Sequence, residues 1–66
     1  MSDVETLKAE IKKLSAKAIQ AKMDLHDLSE ELPVNWMNIP SVAQRTYEIF
    51  ELLEKKRAEL KQLEAV

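Results

Sequence analysis

Residues 4–33 read "VETLKAEIKKLSAKAIQAKMDLHDLSEELP", and their apolar positions recur at alternating steps of three and four. Val4, Leu7, Ile11, Leu14, Ala18, Ala21, Leu25, Leu28 and Leu32 make one a/d seam, sustained over about four heptads. Such a seam is the mark of a helix packed along another helix. Pro33 closes it, because the residue before a proline is pushed out of the helical region. The expected helix covers about 3–32, roughly 45 Å at 1.5 Å per residue. Ser2 or Asp3 is the expected cap, and Glu5 sits in the first turn, where the backbone dipole favours an acid. The small pair Ala18 and Ala21 lies mid-seam and admits a close neighbour.

The rest of the chain supplies that neighbour. Val42, Ala43, Thr46, Tyr47, Ile49, Phe50, Leu53, Leu60 and Leu63 recur at helical spacing, which predicts a second helix over about 40–64. Asn38 is its expected cap, and Pro40 is tolerated in a first turn. Two adjacent stripes, Val42/Thr46/Ile49/Leu53 and Ala43/Tyr47/Phe50/Leu53, widen its apolar face beyond a two-stranded seam. That width suits a helix touching two neighbours. The link over about 33–39 is short enough to favour antiparallel packing. The expected architecture is all-α, a single hairpin domain over 1–66.

One hairpin of 66 residues buries a modest fraction of its surface and needs a staple. With no cysteine in the chain, neither a disulfide nor a thiolate metal site can provide one. Pairing of two hairpins into a four-helix bundle is therefore expected. The oligomer core would hold Leu7, Ile11, Leu14, Ala18, Ala21, Leu25, Leu28, Ile49, Phe50, Leu53 and Leu60. Charge indicates the orientation: Asp24, Asp27, Glu30, Glu31, Glu48, Glu51 and Glu54 crowd the loop end. Lys8, Lys12, Lys13 and Lys17 lie with Lys55, Lys56, Arg57 and Lys61 at the open end. Two such dipoles attract with their loops at opposite ends. The sequence leaves a dimer or a tetramer open.

Composition removes several function classes. Zero glycine excludes a Gly-rich phosphate loop. No apolar run reaches a membrane span, and "MSDVETLKAE" has no apolar signal core, so a soluble, cytoplasmic protein is expected. A formal charge of -2 gives no global attraction to nucleic acid. The basic run 55–57 with Lys61 is interleaved with acids at 54, 59 and 64, which reads as a solvated face.

The only histidine, His26, falls one step outside the seam, beside Ile19, Met23 and Glu30. This stripe reads either as a contact surface or as scattered surface apolars, which are ordinary. His26 with Glu30 at i, i+4 is also a sound half-site for a divalent metal, with Asp27 adjacent. Catalysis would need a pocket that excludes water, which a thin bundle does not offer; no catalytic residue and no required cofactor are expected. Trp36, the only tryptophan, either folds back onto the Leu32 layer or stands out as an anchor for another protein.

The run "KMDLHDLSEELPVNW" followed by "IPSVAQRTYEIFELL" resembles the small Rop-like family of unknown function encoded in nitrogen-fixation gene clusters. The similarity spans roughly residues 7 to 53. It implies a hairpin that dimerises into a four-helix bundle, and an accessory role in nitrogenase assembly, protection or maintenance. It also implies a metal link, at His26 with Asp27 or Glu30 beside it; by ligand count, two donors in one chain hold a divalent ion only weakly. The expected function is docking on a nitrogenase component or a cofactor-assembly protein through Ile19, Met23, His26, Glu30 and Trp36. The alternatives are metal delivery through His26 and Rop-like RNA binding, which the acidic loop end opposes.

Overall fold

The computed structural model describes residues 4–65. Helix α1 runs Val4–Glu31, a 3-10 turn spans Trp36–Asn38, and helix α2 runs Ile39–Glu64. The two helices pack side by side as an antiparallel hairpin measuring 50 × 17 × 15 Å. Glu5 occupies the first turn of α1; the expected caps Ser2 and Asp3 lie outside the described residues.

Burial follows the predicted seam unevenly. Leu7, Ala18, Ala21 and Leu28 of α1 and Leu53 of α2 are buried, whereas Ile11, Leu14, Leu25, Ile49 and Leu60 are half-buried. On α2 the half-buried or buried positions are 42, 43, 46, 49, 53, 56, 59 and 60; all but 43 and 59 fall on one stripe at alternating steps of four and three, the stripe that meets α1. Ala18 and Ala21 let the helices approach: the Thr46 hydroxyl donates to its own helix at Val42 O (2.8 Å) and lies 3.3 Å from Ala21 O across the interface. A larger residue at 21 would crowd that carbonyl.

Lys56 fills a seam position with its aliphatic stem, and its ammonium ends 3.2 Å from Glu10. That arrangement keeps the charge wet while the carbons cover apolar surface. Lys8 similarly reaches Glu64 at 3.5 Å, and an Arg57 guanidinium nitrogen lies 3.3 Å from Ser15 Oγ. The open end is basic as expected, but two of its lysines are engaged by acids of the opposite helix.

The connection is a stack of tight turns. Val34 N donates to Glu31 O (3.0 Å), Trp36 N to Pro33 O (3.4 Å) and Asn38 N to Asn35 O (2.9 Å). The Leu32–Pro33 peptide is cis, and Asn35 adopts φ 60°, the left-handed region that Asn tolerates better than most residues. Asn38 takes the N-cap position of α2, as expected, although its side chain makes no capping bond; Ser41 Oγ donates to its carbonyl at 3.1 Å. Of the two readings of Trp36, exposure leaves the anchor: Trp36 is 62% and Leu32 40% exposed, so the ring does not close the hairpin end.

Candidate functional site

Among the described residues, three surfaces carry clustered exposed apolar side chains. The first follows from the double stripe on α2. With Val42, Thr46, Ile49 and Leu53 turned toward α1, the second stripe is left at the side, where Tyr47 is 64% and Phe50 42% exposed. Together with Thr46, Leu53, Glu54 and Arg57 they line a groove of about 630 Å³. A second groove of about 470 Å³, between Ile11, Leu60 and Lys61, shares Arg57 with the first. The two therefore continue along one face of the hairpin, and the Arg57–Ser15 contact bridges the helices within it. Half-buried Ile11 and Leu60 line this face.

The second surface is the stripe on α1 singled out from the sequence. Ile19 and Met23 are 60% and 53% exposed. With Lys22, His26 and Asp27 they wall a shallow groove of about 290 Å³. Glu30 joins the stripe through His26, whose Nε2 lies 3.1 Å from Glu30 Oε1, one helical turn on. Ser29 Oγ bonds the His26 carbonyl at 2.7 Å. Four of the five residues expected in partner contact, Ile19, Met23, His26 and Glu30, thus form one continuous strip. Trp36 lies apart, in the connection between the helices.

The third surface is that connection, with Val34, Trp36 and Met37 all more than 60% exposed. Spacing offered no signal here, since a turn has no periodicity.

The metal reading can be tested against the donor geometry. Glu30 approaches His26 at Nε2, while Asp27 lies 3.9 Å from Nδ1, on the other ring nitrogen. One ion cannot be shared by both carboxylates through a single imidazole nitrogen. Among the described residues no group of three His, Asp or Glu side chains is placed to hold a metal ion, so one copy supplies a half-site of two donors and no closed site. Neither helix is long and apolar enough to cross a membrane.

Comparison with known proteins agrees with this architecture. The family model described as Rop-like matches residues 2–65. A UPF0437 protein of Azorhizobium caulinodans is 68% identical over 65 residues, covering 98% of this chain and 94% of its own. A Frankia alni relative, 42% identical over 48 residues (73% of this chain, 58% of its own), carries the description "UPF0437 protein in nifX-nifW intergenic region". Among solved structures, a crystal structure from the DUF683 family of the cyanobacterium Cyanothece 51142 superposes with a TM-score of 0.86 at 46% identity, over 88% of this chain and 95% of that one. An NMR structure of a structural-genomics target gives 0.89, also at 46% identity, over 98% and 92%. Matched almost end to end by the family model and by close relatives, this chain belongs to the Rop-like family.

Proposed function

We propose that this chain is a non-enzymatic accessory protein of nitrogen fixation. Two copies pair through the groove at Phe50 and Arg57, and the resulting bundle docks on a nitrogenase component or a cofactor-assembly protein. The docking strip is Ile19, Met23, His26 and Glu30, with Trp36 as an added anchor. The observation that carries this reading is the apolar groove at Ile19 and Met23, on a face of α1 other than the one that buries Leu7, Ala18, Ala21 and Leu28. Isolated surface apolars need no explanation, but two of them framing a concave strip with a histidine and acids fit a contact surface. The nitrogen-fixation setting is taken from the nifX-nifW position in the Frankia relative's description. It is tested by capturing the tagged protein from nitrogen-fixing cells beside an Ile19→Asp/Met23→Asp variant. The expected result is nitrogenase or assembly proteins on the first and their loss from the second. Equal capture by both would remove the strip.

The 3.1 Å His26–Glu30 pair supports a second reading, weak divalent-metal binding completed by donors from another copy. His26→Ala separates the two, because it abolishes metal uptake under this reading and only weakens capture under the first. RNA binding has less support: charge reversal at Lys55 and Lys56 would disrupt it and leave docking at the α1 strip unaffected.

A further inference from the structure

Residues 32–44, "LPVNWMNIPSVAQ", contain no charged residue in a chain that is 33% charged. Five of the eleven exposed large apolar side chains among the described residues fall here: Leu32, Val34, Trp36, Met37 and Ile39. Three of them, Val34, Trp36 and Met37, are more than 60% exposed and are covered by nothing in the hairpin's own packing. Every residue from 31 to 40 is exposed, and turns select Gly, Asn, Asp, Ser or Pro for backbone reasons, needs already met at Pro33 and Asn35. Val34, Trp36 and Met37 serve neither the turns nor the core. The bonds from Val34 to Glu31 and from Asn38 to Asn35 hold the backbone in place, so presenting these side chains costs little further ordering on binding.

The surroundings indicate what covers the tip. Asp27, Glu30, Glu31 and Glu48 are exposed toward this end against Lys22 and Arg45, and the three acids nearest the tip, Asp27, Glu30 and Glu31, have no basic residue among them; the Asp27 and Glu30 side chains are 71% and 68% accessible. A second tip would bring the same acidic collar and repel the first. Anionic lipid headgroups and nucleic-acid phosphates are disfavoured for the same reason. We infer that the hairpin tip, with Trp36 and Met37 at its centre, is an anchor for a protein whose receiving surface is an apolar pocket rimmed by Lys and Arg. Trp at the centre and charges at the rim match the usual anatomy of a binding hot spot. This inference rests on the docking reading above and gives its partner a chemistry.

The test places a photoreactive side chain at the tip and, separately, on the α1 strip: Trp36→p-benzoylphenylalanine and Ile19→p-benzoylphenylalanine, irradiated in nitrogen-fixing cells, with the adducts mapped by mass spectrometry. The expected adduct from position 36 is an apolar peptide of another protein flanked by Lys or Arg. Its yield should fall about tenfold when Asp27→Lys and Glu31→Lys are added, as removal of charge complementarity slows association. Adducts with a second copy, lipid or nucleic acid, an acidic receiving peptide, a yield indifferent to the charge reversal, or no adduct would overturn it. Adducts from position 19 without any from 36 would leave the docking reading intact and remove the tip, whereas adducts from 36 alone would do the reverse.

Discussion

Phe50→Ala and Leu52→Ala remove side chains of equal exposure, 42% each in the single hairpin, from two different places. Phe50 lines the large groove and Leu52 does not. A phenylalanine side chain offers roughly 200 Å², so the exposed share of Phe50 is on the order of 80 Å² in total. Covering it is worth about 2 kcal/mol per chain at ~25 cal/mol per Å². A symmetric pair covers two such side chains, about 4 kcal/mol, or near a thousandfold in the dissociation constant. Loss of the part of Phe50 already packed within the hairpin adds a cost to chain stability that does not depend on concentration. Leu52→Ala carries no dimer term. Urea unfolding followed by helical circular dichroism, over a roughly hundredfold range of protein concentration, separates these contributions because a dimer's midpoint rises with concentration. The wild type and Leu52→Ala should show that rise, and Phe50→Ala should lose most of it. A wild-type midpoint independent of concentration, or identical behaviour of the two variants, would refute the assignment of this face to a second copy.

Other consequences of the structure are checked by the same unfolding assay. Asn35 at φ 60° should accept Gly at little cost, whereas Asn35→Val should lose about 1–2 kcal/mol, the penalty of the left-handed region for a side chain that cannot bond locally. Ala21→Leu should cost about 1–3 kcal/mol by overpacking, since Ala21 is 6% exposed and its carbonyl lies against Thr46. A double-mutant cycle on Lys56 and Glu10, whose side chains are 31% and 46% exposed, should return a coupling below about 1 kcal/mol. Lys56→Met should then be close to neutral, because the stem's packing is retained.

The hairpin was legible because hydrophobic periodicity and a proline stop act locally and agree with each other. The α1 seam was read residue by residue, and the double width of α2 was visible as two stripes. Which stripe meets α1 was not. That choice depends on the rotation of one helix against the other, which Thr46 at Ala21 and Arg57 at Ser15 record and which periodicity does not encode. Lys56 was missed as a seam residue because a hydrophobic pattern scores its charge and ignores its stem. At the tip, residue type left Trp36 open between plug and anchor, because a turn carries no repeating signal that would fix its exposure. Asn38 was legible as the N-cap position of α2, whereas the left-handed backbone at Asn35 was not. The candidate strip at Ile19, Met23, His26 and Glu30 was found from spacing alone, since it needs one helix and no knowledge of the other.

Docking through the strip of α1 is tested most directly by affinity measured between purified components. Nitrogenase component proteins and the cofactor-assembly proteins recovered by capture would each be titrated against the immobilised hairpin, with the helical content of every variant verified beforehand. Saturable binding is predicted, weakened about 10- to 100-fold by Met23→Asp, as expected when a contact worth ~1.5–3 kcal/mol of burial is lost, and unaffected by Leu52→Ala. Binding that Met23→Asp leaves unchanged, or no saturable binding to any of these proteins by the folded wild type, would contradict it.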